Sequence, residues 1–211
     1  MIKLYYHPGN ASFAPHVLLA EIGEPYELSY IDRSVSWQKS AEYLALNPSG
    51  RIPALIDGDL VLFETGAICQ HLADKFPQAE LAPPAGSDAR SNLNKWLFYM
   101  ATTVQTEYLL YFYPERHADD EAAETVIKRT AEAAVGDAFT IIDKALGDVP
   151  WMMGDDYSLL DPYLLMLCRW GRFMAHPPRD YSALGPYLQR VLARDAVQRV
   201  IADEGIEGDF I

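Results

Sequence analysis

The sequence predicts a two-part fold, an α/β domain with the order βαβ then ββα followed by an all-α domain, and three observations carry that reading. Residues 2–32 spell a strand, a helix and a second strand. Asp57-Gly58-Asp59 separates two short apolar runs and is followed by a helical stripe. Beyond the Pro- and Gly-containing stretch 77–87, apolar residues recur at helical spacing.

The elements follow in order. Residues 2–6 alternate as a short strand that Pro8-Gly9-Asn10 breaks, and Ser12 to Ile22 reads as a helix stopped by Gly23. Tyr26 to Asp32 is the second strand, and a strand–helix–strand unit of this length requires a right-handed crossover and parallel strands. A short polar helix is expected around Trp37 to Leu46. Ile52 to Ile56 and Leu60 to Phe63 then flank a strong turn signal and predict a hairpin. In Thr65 to Phe76 the residues Ile68, Leu72 and Phe76 lie four apart, a stripe suited to packing back on the sheet. This order is that of a thioredoxin-like domain, assigned to residues 1–78.

Pro77 to Ser87 reads as a linker, and residues 87–211 are assigned to the helical domain. Leu93, Trp96, Leu97, Met100 and Val104 recur at three and four, and a second long pattern runs from Asp119 to Leu146. Leu159 to Met174 is apolar on nearly every face and should be the central buried helix. Ser158-Leu159-Leu160-Asp161 has the form of a capping box, a folding signal, although Pro162 removes one N–H of the first turn.

With 50% hydrophobic residues the chain can bury a substantial core. Its 30 acidic against 17 basic side chains give a formal charge of -13, which repels phosphate backbones and anionic lipids, so neither nucleic acid nor membrane is an expected partner. No run approaches ~18 apolar residues, and the first residues lack a signal-peptide pattern, so a cytoplasmic location is expected. Cys69 and Cys168 have no CxxC or Cys/His spacing, which predicts buried thiols and neither a disulfide framework nor a metal site.

Two segments stand out chemically. A cis peptide before Pro53 would leave the Ile52 N–H and C=O free to pair with an extended peptide, whereas a trans proline would simply start a strand. Glu64-Thr65 opens a helix: the Thr65 hydroxyl and the free N–H groups could receive a carboxylate and Glu64 an ammonium, or the pair could be an ordinary cap and first-turn charge. Together, Asn47-Pro48-Ser49-Gly50-Arg51-Ile52-Pro53-Ala54-Leu55 and Glu64-Thr65 resemble the pattern with which cytosolic glutathione transferases hold glutathione.

The resemblance covers essentially the whole chain, since strand order, linker, long helices and capping box fall in the expected sequence. It implies glutathione as co-substrate, with Ile52 and Pro53 at its cysteinyl portion, Glu64 and Thr65 at its charged end and Lys39 at its glycyl carboxylate. A solvated Lys39 is the plainer alternative. It also implies a homodimer and a helical domain that walls off a small hydrophobic electrophile.

Pro8-Gly9-Asn10-Ala11-Ser12 resembles the same loop of the bacterial beta class, but Ala11 stands where that class usually has cysteine, which argues against cysteine-based mixed-disulfide chemistry. Three residues remain as donors to the glutathione sulfur. Ser12 offers a hydroxyl at the first helical turn, Tyr6 matches the tyrosine position of the animal-type classes, and Asn10 offers an amide. The plain alternatives are an N-cap for Ser12 and a core aromatic for Tyr6. His7 reads as a surface or strand-end histidine, and Gln105 and Thr106 fall where beta-class members carry polar residues. In the aromatic run 108–113, Tyr108 and Tyr111 are expected to face the electrophile, with Trp170 and Phe173 nearby. The activity this implies is glutathione transfer, with glutathione-dependent disulfide or peroxide reduction, or a non-catalytic binding module, as alternatives.

Overall fold

Strand β1 (Ile2–Tyr6) lies inside a four-stranded sheet, between β2 (Tyr26–Tyr30) and β3 (Ala54–Asp57) with β4 (Leu60–Phe63) beyond β3, in the computed structural model, which describes residues 1–211. Alternation turns Ile2 and Leu4 to one face and Tyr5 to the other. Helix α1 (Phe13–Ile22) follows and ends at Gly23, whose positive φ of 77° lets its N–H close on the Leu19 carbonyl. Strand β2 (Tyr26–Tyr30) returns parallel to β1, with Ile2 opposite Tyr26 and Tyr6 opposite Tyr30. It stops short of Asp32 because that carboxylate turns the chain, accepting from the Ser34 N–H at 2.9 Å and the Ser34 hydroxyl at 2.6 Å.

The expected polar helix is split in two. A 3-10 turn, Trp37–Lys39, precedes α2 (Ala41–Leu46), because extended Ser40 caps α2 by accepting the Tyr43 N–H at 3.2 Å. Strand β3 (Ala54–Asp57) pairs antiparallel with β1 and, through the two-residue loop Gly58-Asp59, with β4 (Leu60–Phe63). Gly58 takes the left-handed conformation such a loop needs, φ 61°. β3 begins later than expected because Pro53 has no N–H for the ladder, and the Ile52–Pro53 peptide is cis. Helix α3 (Thr65–Lys75) buries Ile68, Cys69 and Leu72 beside α1.

Every long element after Ser87 is helical. Ser87 caps α4 (Asp88–Phe98), and the periodic run expected to reach Val104 as α-helix instead widens into a π-helical stretch, Tyr99–Val104, before α5 (Gln105–Phe112). The Thr102 hydroxyl bonds the Phe98 carbonyl at 2.8 Å within this stretch. Asp120 caps the long α6 (Glu121–Leu146). Helix α7 (Leu160–Trp170) is buried from Leu160 through Cys168, and α8 (Leu184–Leu192) and α9 (Asp195–Asp203) close the bundle.

The capping box forms with a shifted partner. Asp161 reaches back to the Ser158 N–H at 2.7 Å, while the Ser158 hydroxyl accepts the Leu160 N–H. One apolar core joins the α1/α3 side of the sheet to α4–α7, and a smaller cluster of Tyr5, Ile31, Tyr43, Ile52 and Ala54 sits on the α2 side. Arg194 locks the two halves by bonding both oxygens of Glu21 at 2.6 and 2.9 Å, and Arg90 bonds Asp74 from the other side. Cys69 and Cys168 are both buried and free.

Candidate functional site

The loop between β1 and α1 is pinned from several directions. The Asn10 N–H donates to the His7 carbonyl at 3.1 Å, and the Asn10 side-chain oxygen accepts the Ala11 N–H at 2.7 Å. Gly9 is held at both ends of its backbone: its N–H donates to Glu204 Oε2 at 2.8 Å, and its carbonyl accepts from Trp170 Nε1 at 3.1 Å. Glu204 follows α9, is fully buried at its side chain and meets buried His16 Nδ1 at 2.9 Å. A Cβ on Gly9 would stand 3.2 Å from the Arg169 guanidinium, so its positive φ and close packing both favour glycine.

Facing this loop is the segment Ser49–Ile52. Its shape is set by the Arg51 carbonyl, which accepts from Tyr43 OH at 2.8 Å and Asn47 Nδ2 at 2.7 Å. Lys39 lies across Gly50 and donates to the Ser49 carbonyl at 3.2 Å. The N–H and C=O of buried Ile52, by contrast, have no hydrogen-bond partner in the protein. Ile52 lines a cavity of about 640 Å³ that runs from Asn10 and Ala11 to the helical half. There Gln105, Leu109, Phe112 and Tyr113 come from α5 and its end, and Trp170 from α7. Arg33, Lys39, Arg51 and Arg116 line it too, with no aspartate or glutamate. In a chain of formal charge -13 this cavity is a focus of positive potential.

Among the expected sulfur donors, only Asn10 lines the cavity. Ser12 must be corrected: it is completely buried, and its hydroxyl donates to the His7 carbonyl while accepting the His7 N–H, both at 3.2 Å, so it staples the loop and does not face the cavity. Tyr6 is also turned away, packed between His16 and Tyr30, and burial reinforced by Glu204 raises its hydroxyl pKa, opposite to an activated phenol. Ile52 and Lys39 line the cavity, while Pro53, Glu64 and Thr65 do not. Thr65 is buried, and its hydroxyl donates to the Ala11 carbonyl at 3.1 Å, which ties the start of α3 to the loop. Glu64 is exposed, holds a positive φ of 73° and makes no side-chain bond as N-cap.

On the helical side, Tyr108 lines the cavity with its ring, but its buried hydroxyl points at Gly171 and has no partner. Tyr111 is a correction. Positions 105, 109, 112 and 113 share one helical face, and Tyr111 falls on another, beneath Lys128 of α6. Phe173 is corrected as well: α7 has ended before it, and it is 81% exposed under Arg172. Gln105 lines the cavity and accepts from Tyr163 OH at 2.6 Å, whereas Thr106 is exposed. His7 sits at the strand end, its Nδ1 at 2.9 Å from the Ile31 carbonyl. The sequence reading gave no role to Arg33 and Arg116, which no local motif connects, nor to Arg51, although it lies within the Asn47–Leu55 motif. It held Phe112 and Tyr113 within the aromatic run 108–113 but singled out Tyr108 and Tyr111, where the helical spacing from Gln105 and Leu109 picks out Phe112 and Tyr113.

No group of three or more His, Cys, Asp or Glu is placed to hold a metal, and no helix is long and apolar enough to cross a membrane. The family model for the glutathione S-transferase N-terminal domain matches residues 1–74. Glutathione S-transferase GstA of Escherichia coli O157:H7 is 30% identical over 98% of this chain and 100% of that protein. A crystal structure of a glutathione transferase homolog from Sulfitobacter, with bound glutathione, superposes with TM-score 0.89 at 27% identity, covering 98% of this chain and 99% of that one. The bacterial beta class glutathione S-transferase of Sphingomonas chungbukensis gives TM-score 0.85 at 30% identity, covering 97% and 100%.

Proposed function

The chain belongs to the glutathione S-transferase family, and from that premise we propose that its cavity binds glutathione, holds it as the thiolate and presents it to a small hydrophobic electrophile. The free backbone of Ile52 carries this reading. An extended tripeptide that lies along Ser49–Ile52 pairs its cysteinyl residue with those two groups as a strand would. Lys39 then meets the glycyl carboxylate. The other end of glutathione reaches the start of α3, where the first N–H groups lack intrahelical partners and suit a carboxylate, with Thr65 beside them and Glu64 for the ammonium.

The sulfur comes to rest near Asn10 and Ala11, where the Asn10 amide donates to it and the nearby start of α1 adds favourable potential. A thiol of pKa near 8.5 is only about 3% ionised at pH 7, and lowering it by about two units makes thiolate the main form, worth about 2.7 kcal/mol. The thiolate forms a bond to an electrophilic carbon of a substrate held against Leu109, Phe112 and Trp170. In substitution the leaving group departs with its electron pair; in conjugate addition the resulting carbanion takes a proton from water. The second reading, a glutathione-dependent disulfide or peroxide reductase, needs no thiol from the protein, since Cys69 and Cys168 are buried and bound glutathione would carry the exchange. We further propose a cytoplasmic homodimer.

The test is a pH titration of bound glutathione by thiolate absorbance in the wild type and in Asn10→Ala, Ser12→Ala and Tyr6→Phe. The expected result is a wild-type thiol pKa about two units below its free value, raised by roughly one unit in Asn10→Ala alone. An unshifted thiol in the wild type removes thiolate activation, and a rise confined to Ser12→Ala or Tyr6→Phe moves the donor to that residue.

A further inference from the structure

We propose that Arg33, Tyr113 and Arg116 form a carboxylate subsite at the helical mouth of the cavity, so that the second substrate is an aromatic or otherwise apolar electrophile that bears a carboxylate. The inference deepens the glutathione reading and rests on it. Arg33, in the loop after β2, reaches across to the end of α5 and donates through Nη2 to Tyr113 OH at 3.1 Å. No carboxylate lies within ion-pair distance of Arg33, so its remaining donors are uncommitted. Arg116 stacks on the face of the same ring, its guanidinium carbon 3.8 Å from the Tyr113 centroid. Its one acidic neighbour, Glu115, stands 3.8 Å from Nε, with both side chains more than half exposed, and leaves the outer edge of the guanidinium open.

Charge economy sharpens the point. The chain has 30 acidic side chains to 17 basic ones, yet four basic and no acidic residues line this one cavity. Lys39 and Arg51 sit on the Ser49–Ile52 wall, where glutathione's own carboxylate is expected. Arg33 and Arg116 are instead gathered on Tyr113 at the end of α5, in the same cavity whose apolar floor is Leu109, Phe112 and Trp170. Two planar guanidinium groups meet on one tyrosine, each with a fork of donors suited to a carboxylate, and the apolar floor of the same cavity suits a ring. A neutral hydrophobic substrate would use the floor and leave both arginines idle.

The test measures, by calorimetry, binding of unreactive dinitrobenzoate and dinitrobenzamide to glutathione-loaded protein, in the wild type, Arg33→Gln, Arg116→Gln and the double variant. The expected result is about tenfold tighter binding of the benzoate, a preference that shrinks with added salt and collapses in the double variant. Equal binding of the two probes to the wild type, or a preference that survives in the double variant, overturns the subsite. So does a loss of glutathione affinity in the double variant in place of the probe preference, because the arginines would then serve glutathione's carboxylates. Glutathione binding measured on the same samples separates the two readings: protein that binds glutathione without preferring benzoate loses the subsite alone, and protein that prefers benzoate but binds no glutathione loses the transferase reading alone.

Discussion

Asp161 shows how a single buried residue sets a pH response. Its carboxylate is fully enclosed and accepts from Met152 N–H at 3.0 Å, Ser158 N–H at 2.7 Å and Tyr187 OH at 2.7 Å. Burial outweighs those bonds and pushes its pKa from 3.8 up to about 6. The native state therefore keeps a proton that the unfolded chain has already released, and the contribution of this group to stability falls as pH rises from about 4 to about 6, by roughly 2–3 kcal/mol. Urea unfolding of wild type and Asp161→Asn across that range checks it: the wild-type advantage should shrink with rising pH and stay level above it. An advantage that does not change with pH refutes the shift. The Ser158/Asp161 pairing was legible because both ends lie within four residues, but its bonds to Met152 and Tyr187 were not. Ser12 failed for the same reason. A hydroxyl at a helix start is visible in sequence, whereas the His7 backbone that occupies it depends on how the loop folds back.

Among the elements, the strands, α1, α3 and α6 were read within a residue or two, because each is set by local alternation, a helical stripe or a flanking turn. The π-helical stretch Tyr99–Val104 left no trace in spacing, since apolar positions at three and four fit both geometries. Which residues of α5 face the cavity is fixed by where that stretch hands over the helix, and so Tyr111 was misplaced. Packing of α5 on α7 is close: a Cβ on Gly171 would stand 2.4 Å from Tyr108 OH and 3.2 Å from both Met174 Sδ and Pro178 Cδ. Gly171→Ala should cost about 1–3 kcal/mol by thermal or urea unfolding. Tyr108→Phe removes the partnerless hydroxyl, so it should be near neutral alone and recover part of that loss in the double variant. Strict additivity of the two changes would show that the hydroxyl is not the obstacle.

For the whole molecule, the cavity exists only because two halves meet, and its cationic lining comes from residues as far apart as Arg33 and Arg116. No reading of neighbouring residues could assemble it, although the family resemblance placed Ile52 and Lys39 near it. The exposed apolar residues Leu60, Val61 and Phe63 on β4, with Phe98 on α4 and Ile141 on α6, leave surface that a second copy would cover. Light scattering should give twice the mass of one chain, and Phe63→Glu with Phe98→Glu should shift it toward one. A single-chain mass for the wild type across a wide concentration range refutes the dimer.

The bond from the Gly9 N–H to Glu204 spans 195 positions. During synthesis, then, the β1–α1 loop leaves the ribosome long before its most distant partner does. The β1–α1 turn emerges with its strand and helix and makes its local bonds through Asn10 and Ser12, yet the Gly9 N–H waits 195 positions for its carboxylate. A nascent chain stalled just short of Glu204 would carry its sheet and most of its helices, with the Gly9 N–H still unpinned.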